Sequence, residues 1–201
     1  WGHVVGSFAR GGAESVAGLG PEGPAETPIP SGMVWNMVYD PEAPEGTVGT
    51  VTQEQLWQRL TDFLHAVVPV AEEAGVRLAL HPDDPPMPTL RGTARLVYQP
   101  EYYQRVLDVM PSYHNGIEFC AGSVAEMAEG DVYDAVDHYS RQGKICYFHF
   151  RNVKGKVPRY YEVFVDEGDV DMIRVLRILK RNGYDGVIIP DHTPQMTCAA
   201  P

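Results

Sequence analysis

The sequence predicts an α/β protein built on a parallel sheet. Three observations carry that prediction. Four short apolar runs, at residues 76–80, 117–120, 144–150 and 186–190, read as strands. Helical periodicities alternate with them, as in repeated βα units. Each run is apolar enough for a strand covered on both faces. Four such units are half of the eight that close a (β/α)8 TIM barrel, which takes about 250 residues. An open doubly wound sheet is the competing architecture.

Residues 1–50 show little periodicity and read as an irregular, loop-rich segment. They hold GHVVGSFARGGAES, a Gly/Pro-rich run from Gly18 to Gly32, the apolar patch Met33 to Asp40, and PEAPEGTVG. Such composition buries little surface. Arg10, Gly11 and Gly12 offer a guanidinium and backbone amides to an anion. From Val51 the pattern changes, and residues 51–201 read as the βα repeats of one partial barrel domain occupying 1–201.

Thr52 and Gln55 fit a capping box. Leu56, Leu60, Phe63, Leu64, Val67 and Val68 follow at helical spacing. Pro69 is expected to kink or split this helix, and Gly75 to cap its end. The first strand follows at once and ends in His81, where the prolines of HPDDPP forbid its continuation. A second helix starts near Pro100, carries Tyr103, Val106, Leu107 and Met110, and stops at Pro111. The turn Asn115-Gly116 leads into the second strand, closed by Ala121-Gly122-Ser123. A helix through Val132, Ala135, Val136 and Tyr139 stops at Gly143. The third strand holds KICYFHF, and a longer excursion fills residues 152–168. The last helix carries Met172, Ile173, Leu176 and Leu179, stops at Asn182-Gly183, and leads into GVIIP.

The chain of 201 residues carries a formal net charge of -11. That excludes a general nucleic-acid or anionic-membrane partner. No apolar run approaches the roughly 20 residues of a membrane span. Cys120, Cys146 and Cys198 are an odd number without a signal-peptide pattern, so a cytoplasmic, reducing setting is expected. Cys146 reads as core, and Cys198 has no evident partner. Both ends read as cut, and the chain is expected to be a fragment of a longer protein that forms a homo-oligomer when complete. Half a barrel leaves unpaired sheet edges, so residues 1–201 alone are expected to be aggregated or inactive.

The strand ends carry the chemistry. The first presents His81, the second Cys120, the third His149 and the fourth Asp191. Successive βα units place these groups on one rim of the sheet. Imidazole, thiolate, imidazole and carboxylate are all metal ligands. Any one of them alone is more simply a packed or backbone-bonded side chain. The pattern repeated at four strands points to a divalent metal site.

The chain also resembles the mannonate dehydratases of the xylose isomerase-like barrel group. The resemblance rests on LALHPDDPP (78–86), GIEFCAGS (116–123), YFHFRNVKG (147–155) and PDHTPQM (190–196), with ARGGA (9–13) as weaker support. It implies a (β/α)8 barrel, an Mn2+ or Fe2+ ion, and dehydration of D-mannonate to 2-keto-3-deoxy-D-gluconate in hexuronate breakdown. The metal ligands it implies are His81, Cys120, His149 and Asp191. Two departures stand out: the first half of the barrel and the closing helix after PDHTPQM are absent. A thiolate ligand itself favours Fe2+ or Zn2+, whereas carboxylate and water suit Mn2+.

That reaction removes the C2 proton and expels the C3 hydroxyl. His192 follows a ligand directly and is the candidate general acid/base, with ligand orientation or a plain surface position as the alternative. Arg151 suits bidentate pairing with the substrate carboxylate, or a salt bridge to a neighbouring loop acid. Asp83 and Asp84 are candidates to bind sugar hydroxyls, to hold the metal ligands, or simply to cap their loop. Lys154 and Arg159 read as solvated charges. Two rival functions stay open: a metal-dependent sugar isomerase or epimerase on the same barrel, and a non-catalytic metal-binding fragment.

Overall fold

The computed structural model describes residues 8–10, 37–39, 50–90, 93–157 and 159–191. Gly11, Gly12, His192 and Cys198 lie outside them. Two short strands, β1 (Phe8–Arg10) and β2 (Met37–Tyr39), pair antiparallel inside the segment that the sequence reads as irregular. Three-residue strands are too short to leave a periodicity.

Helix α1 (Gln53–Ala74) opens on the expected capping box. Thr52 Oγ1 accepts the Gln55 amide at 3.2 Å, and Gln55 Oε1 accepts the Thr52 amide at 2.9 Å. Gly75, at φ 68°, closes the helix in the left-handed conformation. Contrary to the expected split, α1 runs unbroken through Pro69. Pro69 lies on the exposed face. Water can therefore take up the backbone carbonyl that its missing N–H leaves unbonded.

Strand β3 (Leu78–Leu80) leads to a small antiparallel pair, β4 (Thr89–Leu90) and β5 (Thr93–Ala94), and to α2 (Glu101–Val109). Next come β6 (Asn115–Cys120), the short helix α3 (Ala121–Glu126) and α4 (Val132–Arg141). Strand β7 (Ile145–His149) is followed by β8 (Asn152–Lys156) and β9 (Arg159–Val163), which turn the predicted excursion into an antiparallel hairpin. Helix α5 (Met172–Arg181) and strand β10 (Val187–Ile189) complete the order.

Strands β3, β6, β7 and β10 form one parallel sheet in that spatial order. Neighbours in space are neighbours in sequence, with no reversal. A doubly wound sheet reverses at its switch point, whereas barrel strands follow one another round the ring. The sheet is therefore a run of successive TIM-barrel units.

The helices cover one face of it. Trp57, Leu60, Leu64 and Val68 of α1, Tyr103 and Val106 of α2, and Val175 and Leu179 of α5 share one core with Ile117, Phe119 and Phe148. Phe119 and Phe148 stack across β6 and β7 with ring centroids 5.3 Å apart. Alternation along a strand then sends Glu118 and Cys120 to the opposite face of β6. So β6 is not apolar throughout: its helix side is greasy and its other side carries chemistry.

Candidate metal centre

Register brings the strand ends level. Cys120 pairs with His149 across β6 and β7, and His149 pairs with Ile189 across β7 and β10. Leu80, the residue before His81, pairs with Ile117 of β6. Donor atoms of His81, Cys120 and His149 consequently lie within 4.8 Å of one another. The His81 and His149 rings stand 5.3 Å apart at their centroids. Asp191, two residues beyond Ile189, brings Oδ2 to 3.4 Å from His149 Nδ1. All four predicted strand-end residues thus meet at one place.

The donors fit a borderline divalent ion. His81 Nδ1 lies 2.7 Å from the Pro82 carbonyl, which can only accept, so Nδ1 carries the proton and the Nε2 lone pair remains for a metal. His149 Nδ1 is buried and faces the Asp191 carboxylate. Cys120 is fully buried, and its Sγ accepts the Ser123 amide at 3.4 Å at the start of α3. Burial alone would raise that thiol. The Arg151 charge, then bonds from His149 and His81, overcome burial and bring it down to about 5. Burial likewise opposes charge on His149, yet its bonds to Asp191, Cys120 and Glu118 hold the imidazolium up to about 12. His81 is raised too: burial works against the rise, and the Cys120 thiolate produces it. Both imidazoles thus favour the thiolate, and a cation binding there would compete with their protons.

Arg151 is buried among acids. It is 1% exposed, and its guanidinium is spent on the protein's own carboxylates. Nη1 reaches Asp84 Oδ2 at 2.7 Å, Nε lies 3.1 Å from Glu162 Oε1, and Nη2 bonds Glu126 Oε1. Nη1 also stands 3.8 Å from Asp191 Oδ2. Gly122 leaves room for this, because a Cβ there would fall 2.5 Å from Arg151 Nε. Of the two roles offered by the sequence, these contacts are the ion pair with neighbouring acids. A charged residue just past a strand reads as rim, and only the fold shows the β8–β9 hairpin closing over it.

Asp83 and Asp84 are also turned inward. Asp83 Oδ2 accepts the Leu96 and Val97 amides, each at 2.7 Å, and Oδ1 pairs with Arg95 Nε at 2.9 Å. Asp84 accepts Tyr160 Oη at 2.8 Å through Oδ1 and Arg151 through Oδ2. Burial opposes its ionisation, but the Arg151 charge dominates and holds the carboxyl below its ordinary range. Of the three roles offered by the sequence, these bonds serve loop holding. His192 lies outside the described residues.

Sequence reasoning missed Glu118. Its Oε1 lies 2.5 Å from His149 Nε2. The signal was present: a lone carboxylate in an apolar strand, two residues before Cys120 and so on the same face.

A parallel run of barrel units that gathers nitrogen, sulfur and oxygen donors at its C-terminal strand ends defines an α/β-barrel protein with a cluster able to hold a metal ion. More specifically, the chain belongs to the D-mannonate dehydratase (UxuA) family, which it matches over residues 46–199. Mannonate dehydratase 2 of Halalkalibacterium halodurans is 33% identical over 164 residues, covering 79% of this chain and 47% of that protein. The crystal structure of mannonate dehydratase from Streptococcus suis serotype 2 superposes with a TM-score of 0.67 at 36% identity, over 71% of this chain and 41% of that one. A D-tagatose 3-epimerase-like protein gives a TM-score of 0.53 at 28% identity, over 68% of this chain and 49% of that one. The chain therefore spans about half the length of the curated relatives it matches. Among the described residues, no helix is long and apolar enough to cross a membrane.

Proposed function

We propose that this protein dehydrates D-mannonate to 2-keto-3-deoxy-D-gluconate, with Mn2+ or Fe2+ held by His81, Cys120, His149 and Asp191. The observation that carries this reading is the convergence of His81, Cys120 and His149 within 4.8 Å, beside Asp191, in a chain of the D-mannonate dehydratase family. The proton leaves C2, the C3–O bond breaks with loss of water, and the resulting enol becomes the 2-keto acid. The bound ion would supply Lewis-acid stabilisation of the negative charge that develops beside the carboxylate. The protein's own residues do the rest. The Arg151 charge favours the Cys120 thiolate while Asp84, Glu126 and Glu162 fix its guanidinium. His192, next to Asp191, is the proposed acid/base that protonates the departing hydroxyl.

Incubation with D-mannonate and Mn2+ or Fe2+ tests this. The expected product is a 2-keto-3-deoxy acid, formed with release of one water. A second reading, metal-dependent epimerisation or isomerisation of a sugar, draws on the likeness to the D-tagatose 3-epimerase-like protein. Conversion to an isomer of unchanged mass would overturn dehydration in its favour.

A further inference from the structure

We infer that Glu118 is a positioning residue of the metal centre: it holds the Nε2 proton of His149, so that His149 meets the ion through Nδ1 while His81 meets it through Nε2. This rests on the metal-centre reading and deepens it.

Geometry fixes the tautomer. Glu118 Oε1 lies 2.5 Å from His149 Nε2, and a carboxylate can only accept there. When a cation displaces the other ring proton, the one that stays is therefore the one on Nε2. The other ring nitrogen is aimed at the site: Nδ1 is buried and faces the Asp191 carboxylate, 3.4 Å from its Oδ2. Two donors each bonded at about 2.0–2.2 Å to one tetrahedral ion lie roughly 3.3–3.6 Å apart. His81 has the opposite arrangement, because the Pro82 carbonyl occupies its Nδ1. The strand register explains how Glu118 reaches its place. It lies two residues before Cys120 on the same face of β6, Cys120 pairs with His149, and Glu118 pairs with Tyr147 one step deeper. Orienting carboxylates of this kind fix ring angle and raise ligand basicity, and losing one costs about 10- to 100-fold in metal affinity.

The test uses 113Cd2+ as the probe with 15N-histidine-labelled protein. Cadmium–nitrogen coupling is expected to Nδ1 of His149 and Nε2 of His81. Glu118→Leu should weaken Cd2+ binding by about 10- to 100-fold and disturb the His149 coupling. Glu118→Gln, which still offers an acceptor, should keep the Nδ1 coupling and most of the affinity. Circular dichroism of the metal-free variants shows whether each is folded. Coupling through Nε2 of His149, or a Glu118→Leu protein that binds Cd2+ like wild type, overturns the inference but leaves the metal centre standing. Equal losses in Gln and Leu would make Glu118 a ligand rather than an orienter, and so overturn it too. Absence of any Cd2+ at Cys120 takes down the metal centre itself.

Discussion

Cys120 and His149 face each other as a register pair at the C-terminal ends of two adjacent parallel strands. Their separation is thus set by backbone hydrogen bonds rather than by loops. That is the rigid placement a metal centre needs. Cys120→Ser should keep the fold, because serine can still cap α3 through its hydroxyl. It should lose metal by more than the roughly 10- to 100-fold that an orienting residue costs. Metal content by mass spectrometry after dialysis checks this. Undiminished content would remove the thiolate from the site.

Arg151 carries the largest predicted stability effect. Its charge is buried among Asp84, Glu126 and Glu162. Removing one member of a buried ion cluster strands the others and costs about 3–5 kcal/mol. Arg151→Met should show that loss in urea unfolding. Arg151→Lys should rescue little, since an ammonium cannot reproduce three directed N–H contacts. A change below about 0.5 kcal/mol in either variant would mean that the hub contributes nothing to folding.

Gly122 is needed for that hub. A Cβ added there meets Arg151 Nε at 2.5 Å and Cζ at 3.1 Å, and Arg151 is held by three acids and cannot simply swing away. Gly122→Ala should cost about 1–3 kcal/mol by overpacking, although alanine is the better helix former. A more stable Gly122→Ala protein would show that Arg151 is free to move.

These two residues mark where the sequence was legible and where it was not. The four sheet strands and their terminal His81, Cys120, His149 and Asp191 could be read, because strand ends in repeated βα units share a rim by topology alone. Glu118 could have been read from the two-residue period of β6. The burial of Arg151 could not, because it depends on the β8–β9 hairpin and on Gly122 lying beneath it, contacts distant in sequence. Helix α3 escaped notice because six residues, under two turns, leave no periodicity to detect. For Asp83 and Asp84 the sequence left ligand contact and loop capping both open; the amides of Leu96 and Val97 and the hydroxyl of Tyr160, which hold them, come from segments distant in sequence.

The Cys120 thiol gives a pH prediction for the metal-free protein. In the unfolded chain a cysteine ionises near 8.5. In the fold, burial opposes the thiolate, but Arg151, His149 and His81 bring the value to about 5. A depressed acid stabilises the fold fully above the unfolded value. That stabilisation declines as pH falls from about 8.5 and is gone below about 5. Wild type should therefore lose its advantage over Cys120→Ser across that window in urea titrations at stepped pH. Thiolate absorbance near 240 nm should fall with a midpoint near 5. An advantage that is constant over the window, or a midpoint near 8.5, would contradict the charge environment described.

Asp191 separates strain from chemistry. It is the one non-glycine residue with positive φ, 64°, among the described residues. Aspartate and asparagine tolerate this conformation better than most residues, and glycine better still. Such residues persist where function holds them. Asp191→Asn keeps the backbone preference and removes the charge beside His149 and Arg151. Its metal affinity should drop by more than tenfold, with metal-free stability within about 1 kcal/mol of wild type. Asp191→Gly removes any strain as well, so its metal-free form should be at least as stable as the Asn variant while binding metal no better. Calorimetric titration with Mn2+ and urea unfolding of the metal-free forms measure the two effects separately. If Asp191→Asn binds Mn2+ like wild type, the carboxylate is no part of the centre, and the left-handed turn at residue 191 has a purely structural origin.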